Sequence, residues 1–274
     1  YINSQAGAVN PNGNYGVNRS YDTSAQFYRY FDQTYNVVAN FNRTFDDKHT
    51  VNVMAGTEFY KRRYRGFSAG GYGAPTGYFP GLGLTQNDAD VQSRTMSSWH
   101  NEEAIMSYFG RAEYDYMDKY LFAATFRADG YSRLVNNKWG TFPGVSGGWV
   151  FSKENFWNKL GLENIINYGK LRASYGMNAT INSNYLGYYT LQGAYSAYKY
   201  DGVYGYRVST LPNPNLKWEK TRTAEVGLDL GFLNNRFNLG FTYYNRLTMD
   251  KYSALSLPRT TGFSTVTYNN GQYR

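Results

Sequence analysis

Hydrophobic and polar residues alternate along much of this chain, most cleanly over residues 104–129, AIMSYFGRAEYDYMDKYLFAATFRAD. Ala104, Met106, Tyr108, Gly110, Ala112, Tyr114 and Tyr116 form an apolar row. Ser107, Arg111, Glu113 and Asp115 lie between them, with Ile105 and Phe109 as exceptions. After Met117-Asp118 the pattern restarts, with Tyr120, Phe122, Ala124, Phe126 and Ala128 set against Lys119, Thr125, Arg127 and Asp129. Successive side chains of a strand point to opposite faces, so this stretch predicts an antiparallel hairpin with one apolar and one charged face. Each arm exceeds the roughly 9–11 residues that a tilted strand needs to cross a bilayer's hydrocarbon core. Aromatics gather at the turn and small Ala and Gly residues fill the middle of the apolar face, as in an outer-membrane β-barrel hairpin. A β-sandwich hairpin with one face on a core would show the same local alternation.

The same period recurs along the chain. Residues 27–45 carry Tyr35, Val37, Ala39 and Phe41 against Asn36, Asn40 and Asn42, and 49–63 carry Val51, Val53, Ala55 and Phe59 against Asn52, Glu58 and Arg62. Residues 139–152, 170–177, 221–232 and 237–249 complete eight predicted strands, the last two forming a hairpin about Asn234-Asn235. Residues 1–23, rich in Asn, Gly and Ser, read as a surface loop, and 153–167 as a modest connection with one helical turn at its start. The connections alternate. Asp46–Lys48, Met117–Asp118 and Asn234–Asn235 are tight, whereas residues 64–103 and 178–220 read as long loops. Short turns at one end and long loops at the other are the build of an outer-membrane barrel, with the long loops outside the cell.

Composition sharpens this picture. The 274 residues hold 30 Tyr, 29 Gly, only 7 Pro and no Cys, which favours ordered β structure with tight turns. Mean hydropathy is −0.62. No apolar run approaches the ~18 residues of a transmembrane helix, whereas a membrane barrel keeps its mean hydropathy low because polar positions alternate with apolar ones. The net charge of +8 is spread along the chain, without the concentrated patch that nucleic-acid binding needs. With no initiator Met, no signal-peptide pattern and a strand-like end, the sequence reads as an internal piece of a longer protein.

Several stretches are similar to the barrel strands of SusC/RagA-like TonB-dependent transporters. They are FDQTYNVVANFNRTF with HTVNVMAGTEFY, YFGRAEYDYMDKYLFAATFRADGYSRL, FPGVSGGWVFSKENFW, and above all LPNPNLKWEKTRTAEVGLDLGFLNNRFNLGFTYYNR. The resemblance covers nearly all of the chain outside the long loops. It implies that residues 1–274 are part of one all-β, antiparallel transmembrane β-barrel, about eight strands of the ~22 found in plugged transporters. It further implies a bacterial outer-membrane location and import of a glycan or peptide. In that family a SusD-like lipoprotein closes the barrel at the cell surface, and TonB energises import through a plug, which with the signal peptide lies outside this sequence. Two other classes have the same hairpins: a small outer-membrane structural or adhesive barrel, and a secreted carbohydrate-binding β-sandwich.

The candidate site residues are loop aromatics. Tyr72, Tyr78, Phe79, Tyr189, Tyr195, Tyr198, Tyr204 and Tyr206 have rings suited to stacking on sugars or gripping a peptide; stiffening of long loops is the competing role. Trp218, in LKWEKT, is expected to anchor the start of a strand at the membrane interface, and Trp139, Trp149 and Trp157 to serve interface belts or turn packing. Catalysis finds no support, since His49 and His100 stand near no GxSxG or HExxH motif. Glu102-Glu103 and Asp88/Asp90 read as solvated loop acids rather than metal ligands, and GGYGAPTG follows no βαβ unit, so neither a metal nor a cofactor is expected.

Overall fold

The structure is a computed structural model that describes residues 2–6, 21–71, 81–85, 94–161 and 165–274, with 2–6 and 21–22 given as backbone alone. The chain divides into two compact units, Tyr1–Gln33 with Lys61–Glu103, and Thr34–Tyr60 with Ala104–Arg274. Three strands contribute to both: β2 (Tyr21–Phe45), β3 (His49–Gly71) and β4 (Arg94–Tyr116).

In the first unit β1 (Ile2–Ala6) pairs antiparallel with β2, Ile2 opposite Ala25. Across β2 and β3, Arg62 grips Asp32 with two bonds of 2.8 and 2.9 Å, and Tyr30 stacks on Tyr64 at 4.4 Å. The second unit adds β5 (Tyr120–Tyr131), β6 (Trp139–Trp149), a one-turn helix α1 (Asn155–Lys159) and β7 (Ile166–Thr180). A separate two-stranded sheet, β8 (Ala194–Tyr200) with β9 (Val203–Thr210), follows, and then β10 (Glu219–Phe232), β11 (Phe237–Ser256) and β12 (Thr265–Tyr273). Strands pair in chain order, β7 skipping to β10 because β8 and β9 stand aside.

All eight expected strands are present, and β1 and β12 extend the same antiparallel order among the described residues. Three expected loops are shorter than their sequence suggests. β1 and the start of β2 occupy parts of residues 1–23, β3 and β4 run on into 64–103, and β8–β9 lie within 178–220. Alternation marks a strand only where one face is apolar. Where both faces are polar, backbone pairing continues without a periodic signature.

The tight turns follow from local chemistry. Asp46 and Asp47 have φ of 50° and 52°, Met117 and Asp118 56° and 52°, and Leu233, Asn234 and Asn235 lie between 53° and 60°. Positive φ at both central residues is what a two-residue hairpin of this twist requires, and Asp and Asn tolerate it best. Met117 gains no such help, but the Asp118 amide donates to the Asp115 carboxylate at 2.7 Å and closes the turn beside it. The β6–β7 connection is tied to the neighbouring turn by Glu154, which accepts from Lys119 Nζ and Trp149 Nε1, each at 3.4 Å. Hydrogen bonds from the Tyr120 hydroxyl, and then from Trp149 and Lys119, hold its carboxyl below the ordinary value against a smaller desolvation effect. That support is complete above the ordinary carboxylate range and is lost as pH falls through the lowered value.

Burial is inverted relative to a soluble β-protein. Nine large hydrophobic residues are buried among those described, while Phe122, Val145, Val226, Leu239, Phe241 and Tyr243 are about half to two-thirds exposed. They share one face: Leu228 stands opposite both Leu171 and Phe241, and Val226 opposite Ala173 and Tyr243. A contiguous apolar face of this extent is a contact surface, and its period and aromatic edges match hydrocarbon. A secreted β-sandwich would bury these rings in a core instead. Replacing Phe241 with Arg is expected to cost roughly 2–4 kcal/mol if the position lies at the bilayer midplane. Denaturant unfolding of the whole protein in phospholipid vesicles measures it, and unchanged stability would count against a lipid-facing Phe241.

Candidate functional site

The polar face of the sheet is a wall of paired charges. Arg172 on β7 lies opposite Gly227 on β10, which in turn faces Thr242 on β11. Glu225 and Asp229 flank Gly227 on the same face, so the guanidinium sits between two carboxylates. It pairs with Glu225, contacts Asp229 at 3.2 Å and donates to Thr242 Oγ1 at 2.6 Å. Gly227 makes room for it, because a Cβ there would meet Arg172 Nε at 2.7 Å. Arg127 adds a second node, with Asp129 at 2.8 Å, Glu58 at 3.8 Å and Ser107 Oγ at 3.0 Å, and Arg111 pairs with Glu113. Arg111, Glu113, Lys170, Arg172 and Glu225 line a concavity of about 460 Å³. This wall is polar and internally neutralised, suited to contact with water, polar cargo or another protein segment.

The LPNPNLKWE stretch builds a clamp at the opposite end of the strands from the tight turns. Pro212 and Pro214 hold the chain extended, and the asparagines supply the cross-links. Asn213 donates to the Thr267 carbonyl at 2.9 Å, and Asn136 and Asn137 each reach Asn215 at 2.8 Å. Asn269 brackets Lys217, accepting from its amide and donating to its carbonyl, both at 3.0 Å. Glu219 accepts the Tyr252 amide at 2.7 Å. Beneath these bonds Trp218, 8% exposed, packs with Tyr131, Phe142, Leu134, Leu216 and Tyr252, and its indole donates to the Lys138 carbonyl at 3.0 Å. Trp218 therefore anchors the start of β10, as its motif suggested, but in a buried cluster rather than at a lipid interface. Phe142, its neighbour, lies opposite Arg127 on the polar side of the sheet, which explains the difference. Trp149 and Trp157 do pack at a turn, with Phe151 and Phe156, and Trp139 stacks on Tyr108 at 5.9 Å.

The candidate aromatics divide. Tyr72, Tyr78 and Phe79 lie outside the described residues. Tyr195, Tyr198 and Tyr204 lie on the β8–β9 hairpin, and all three are exposed. Pairing sets Tyr195 opposite Val208, Ala197 opposite Tyr206 and Lys199 opposite Tyr204. Tyr195, Tyr204 and Tyr206 therefore share one face, while Tyr198 is on the other beneath the Arg207 guanidinium at 4.8 Å. Sequence reading gathered the rings into one loop, and strand parity separates them. Tyr206, 83% exposed, completes the face.

His49 and Glu102 take structural roles, while Asp88 and Asp90 lie outside the described residues. His49 bonds the Tyr114 hydroxyl at 2.7 Å, and Glu102 is engaged by Lys61 at 3.1 Å and Arg63 at 3.2 Å. Among the described residues no cluster of metal ligands forms.

The family model "TonB dependent receptor-like, beta-barrel" matches residues 1–274. TonB-dependent receptor P39 of Formosa agariphila is 33% identical over 234 residues, 85% of this chain and 22% of that protein. TonB-dependent receptor SusC of Bacteroides thetaiotaomicron is 32% identical over 250 residues, 88% and 24% of the respective chains. The solved structure of the RagAB peptide transporter superposes with a TM-score of 0.78 at 25% identity, over 92% of this chain and 27% of the other. The chain thus spans about a quarter of the length of these relatives.

Loss of the Trp218 ring and loss of its hydrogen bond are separable. Trp218→Ala is expected to cost about 3–5 kcal/mol, whereas Trp218→Phe forfeits chiefly the bond to Lys138, about 1 kcal/mol. Unfolding curves of the two variants, with limited proteolysis at the β5–β6 loop, test the order; equal losses would contradict it.

Proposed function

This chain belongs to the TonB-dependent receptor β-barrel family of the bacterial outer membrane, and from that premise we propose that it forms part of an importer for a glycan or peptide. The family transports rather than catalyses. The observation that carries the reading is the two-faced sheet: one face dissolves in lipid, and the other offers a paired polar wall along which hydrophilic cargo passes. Likeness to SusC and to the RagAB peptide transporter supports import of an oligomeric nutrient. In the complete protein a plug fills the lumen, TonB pulling on it drives transport, and a SusD-like lipoprotein covers the cell-surface end.

The tight turns at Asp46–Lys48, Met117–Asp118 and Asn234–Asn235 face the periplasm in this reading, and the β8–β9 hairpin faces the outside. Tyr195, Tyr204 and Tyr206 form the stacking face that meets cargo or lid, with Tyr198 and Arg207 behind it. Rings presented on a short rigid hairpin lose little entropy on binding, which suits them to the task.

Two experiments on the full-length transporter test this. The Tyr195→Ala/Tyr204→Ala pair should lower affinity for cargo or lid by roughly 5- to 150-fold, from about 0.5–1.5 kcal/mol per aromatic contact, with the barrel still folded. Cargo binding, lid association and uptake all at parental levels would refute the role of this face. A cysteine at Gly202 should react with an impermeant thiol reagent on intact cells and one at Asn235 should not; the reverse pattern would invert the topology.

A further inference from the structure

The polar row of β4 breaks at Ile105, an apolar residue on the side of Ser107, Arg111 and Glu113. Pairing accounts for it. Tyr131 follows Arg127 and Asp129 on the polar face of the sheet and stands opposite Ile105, and Phe142 stands opposite Arg127. The buried cluster around Trp218 is therefore founded on the polar face, with Ile105 packed against it. A segment that belongs to no strand of the large sheet caps this cluster. Leu186 and Leu191, from the connection between β7 and β8, are 0% and 4% exposed within it, and Ile181 packs alongside. The connection does not stand off with the β8–β9 hairpin to which it leads. It folds back across the polar face.

Its fastenings are specific. The Asn182 carbonyl accepts the amides of Tyr185 and Leu186, both at 3.1 Å, and the Asn182 side chain accepts the Asn184 amide at 3.0 Å. Arg133, 8% exposed on the β5–β6 connection, holds this turn. Its guanidinium donates to the Leu186 carbonyl at 3.0 Å and lies 3.7 Å from the centre of the Tyr188 ring. A desolvated cation on a ring and a charge-assisted bond are among the stronger contacts open to a loop. Tyr185 meets the ring of Tyr252, a member of the cluster, at 6.5 Å. A single helical turn at Thr190–Gln192 seats Leu191, and Gly193, with φ of 90°, then turns the chain out into β8.

We propose, on the reading that the polar face lines the lumen, that residues 181–192 form an inward strap that narrows the barrel's mouth. Arg133 is the positioning residue that holds it there. A strap on that face takes up width where cargo enters, and so sets the cross-section that passes. The exposed rings of Tyr185 and Tyr189 border the narrowed entrance. Asn178, exposed on the same face of β7 and opposite Thr221, lines a concavity of the wall with Arg127, Asp129 and Trp218, and is placed to report what gets past the strap.

The test uses the full-length receptor on intact cells that make no lid lipoprotein, carrying Asn178→Cys or, as a control for sidedness, Gly202→Cys. Two impermeant thiol probes are compared: a small charged methanethiosulfonate, and a maleimide on a branched polyethylene glycol. Gly202→Cys should react with both. Asn178→Cys should react with the small probe and exclude the branched one. Adding Arg133→Gln or Tyr188→Leu should raise the branched probe's rate at Asn178→Cys about tenfold, because losing the charged bond or the ring contact shifts the strap's local opening. Reaction at Gly202→Cys should stay unchanged, showing that the barrel is intact. Equal access of both probes to Asn178→Cys without further change, each rate taken relative to Gly202→Cys, overturns the strap and depends on no loosened variant folding. Exclusion of both probes overturns it too, as does an unchanged branched-probe rate in the folded Arg133→Gln and Tyr188→Leu receptors. Gly202→Cys unreactive with either probe overturns instead the orientation on which the strap rests, a distinct failure.

Discussion

Hydrocarbon offers no partner for a peptide N–H or C=O, and the rest of this structure depends on meeting that constraint. Every strand that crosses the bilayer must pair its backbone with neighbours, so successive strands run antiparallel in chain order. The turns joining them must be tight enough to keep the register, which selects the positive-φ pairs at Asp46-Asp47 and Met117-Asp118. Among the described residues the departure from chain order, the jump from β7 to β10, falls at the long-loop end, where the inserted β8–β9 hairpin is paired with itself. With the ladder satisfied, side chains are left to divide by solvent. Phe241 and Val226 go to the apolar face, Arg172 and Glu225 to the polar one.

The lumenal side carries a second requirement. Charges gathered on one face are costly unless paired, and the polar wall answers with shared rather than isolated ion pairs. Arg172 serves two carboxylates and a hydroxyl through the space left by Gly227. At the long-loop end, where lipid no longer imposes order, an ordinary buried cluster around Trp218 takes over. The asparagines of the NPN stretch and Asn269 tie the β5–β6 connection and strand β12 to it. The protein is held by two solvents' rules, one on each face, and by a small conventional core where the long loops begin.

How much of this was legible in the sequence follows from the same division. The β4–β5 and β10–β11 hairpins were readable residue by residue because each has one face in lipid, and so were their turns. The far ends of β3 and β4, beyond Arg63 and before Ala104, were hidden, since polar residues there fall on both faces and leave no alternation to read. β8 and β9 were hidden because Tyr fills both of their faces, and β1 because its composition is that of a loop, whereas the strand-like end of the chain is β12. Trp218 was identified as an anchor from its motif, but its side of the sheet depends on register with β5 and β6, which no local pattern reveals. Tyr195, Tyr198 and Tyr204 were recognisable as an aromatic group, and only the pairing of the hairpin sorts them into faces.

The central claim, that alternation here is a division between lipid and lumen, is tested most directly by spin-label accessibility along β10 and β11 of the full-length receptor in bilayers. Labels at Val226, Leu228, Leu239 and Phe241 should collide preferentially with oxygen dissolved in the lipid, and those at Glu225, Asp229 and Gly240 with a water-soluble nickel chelate. The two signals should alternate with a period of two residues. Equal accessibility of both sets to the aqueous relaxant, or oxygen exposure that does not alternate, would contradict the account.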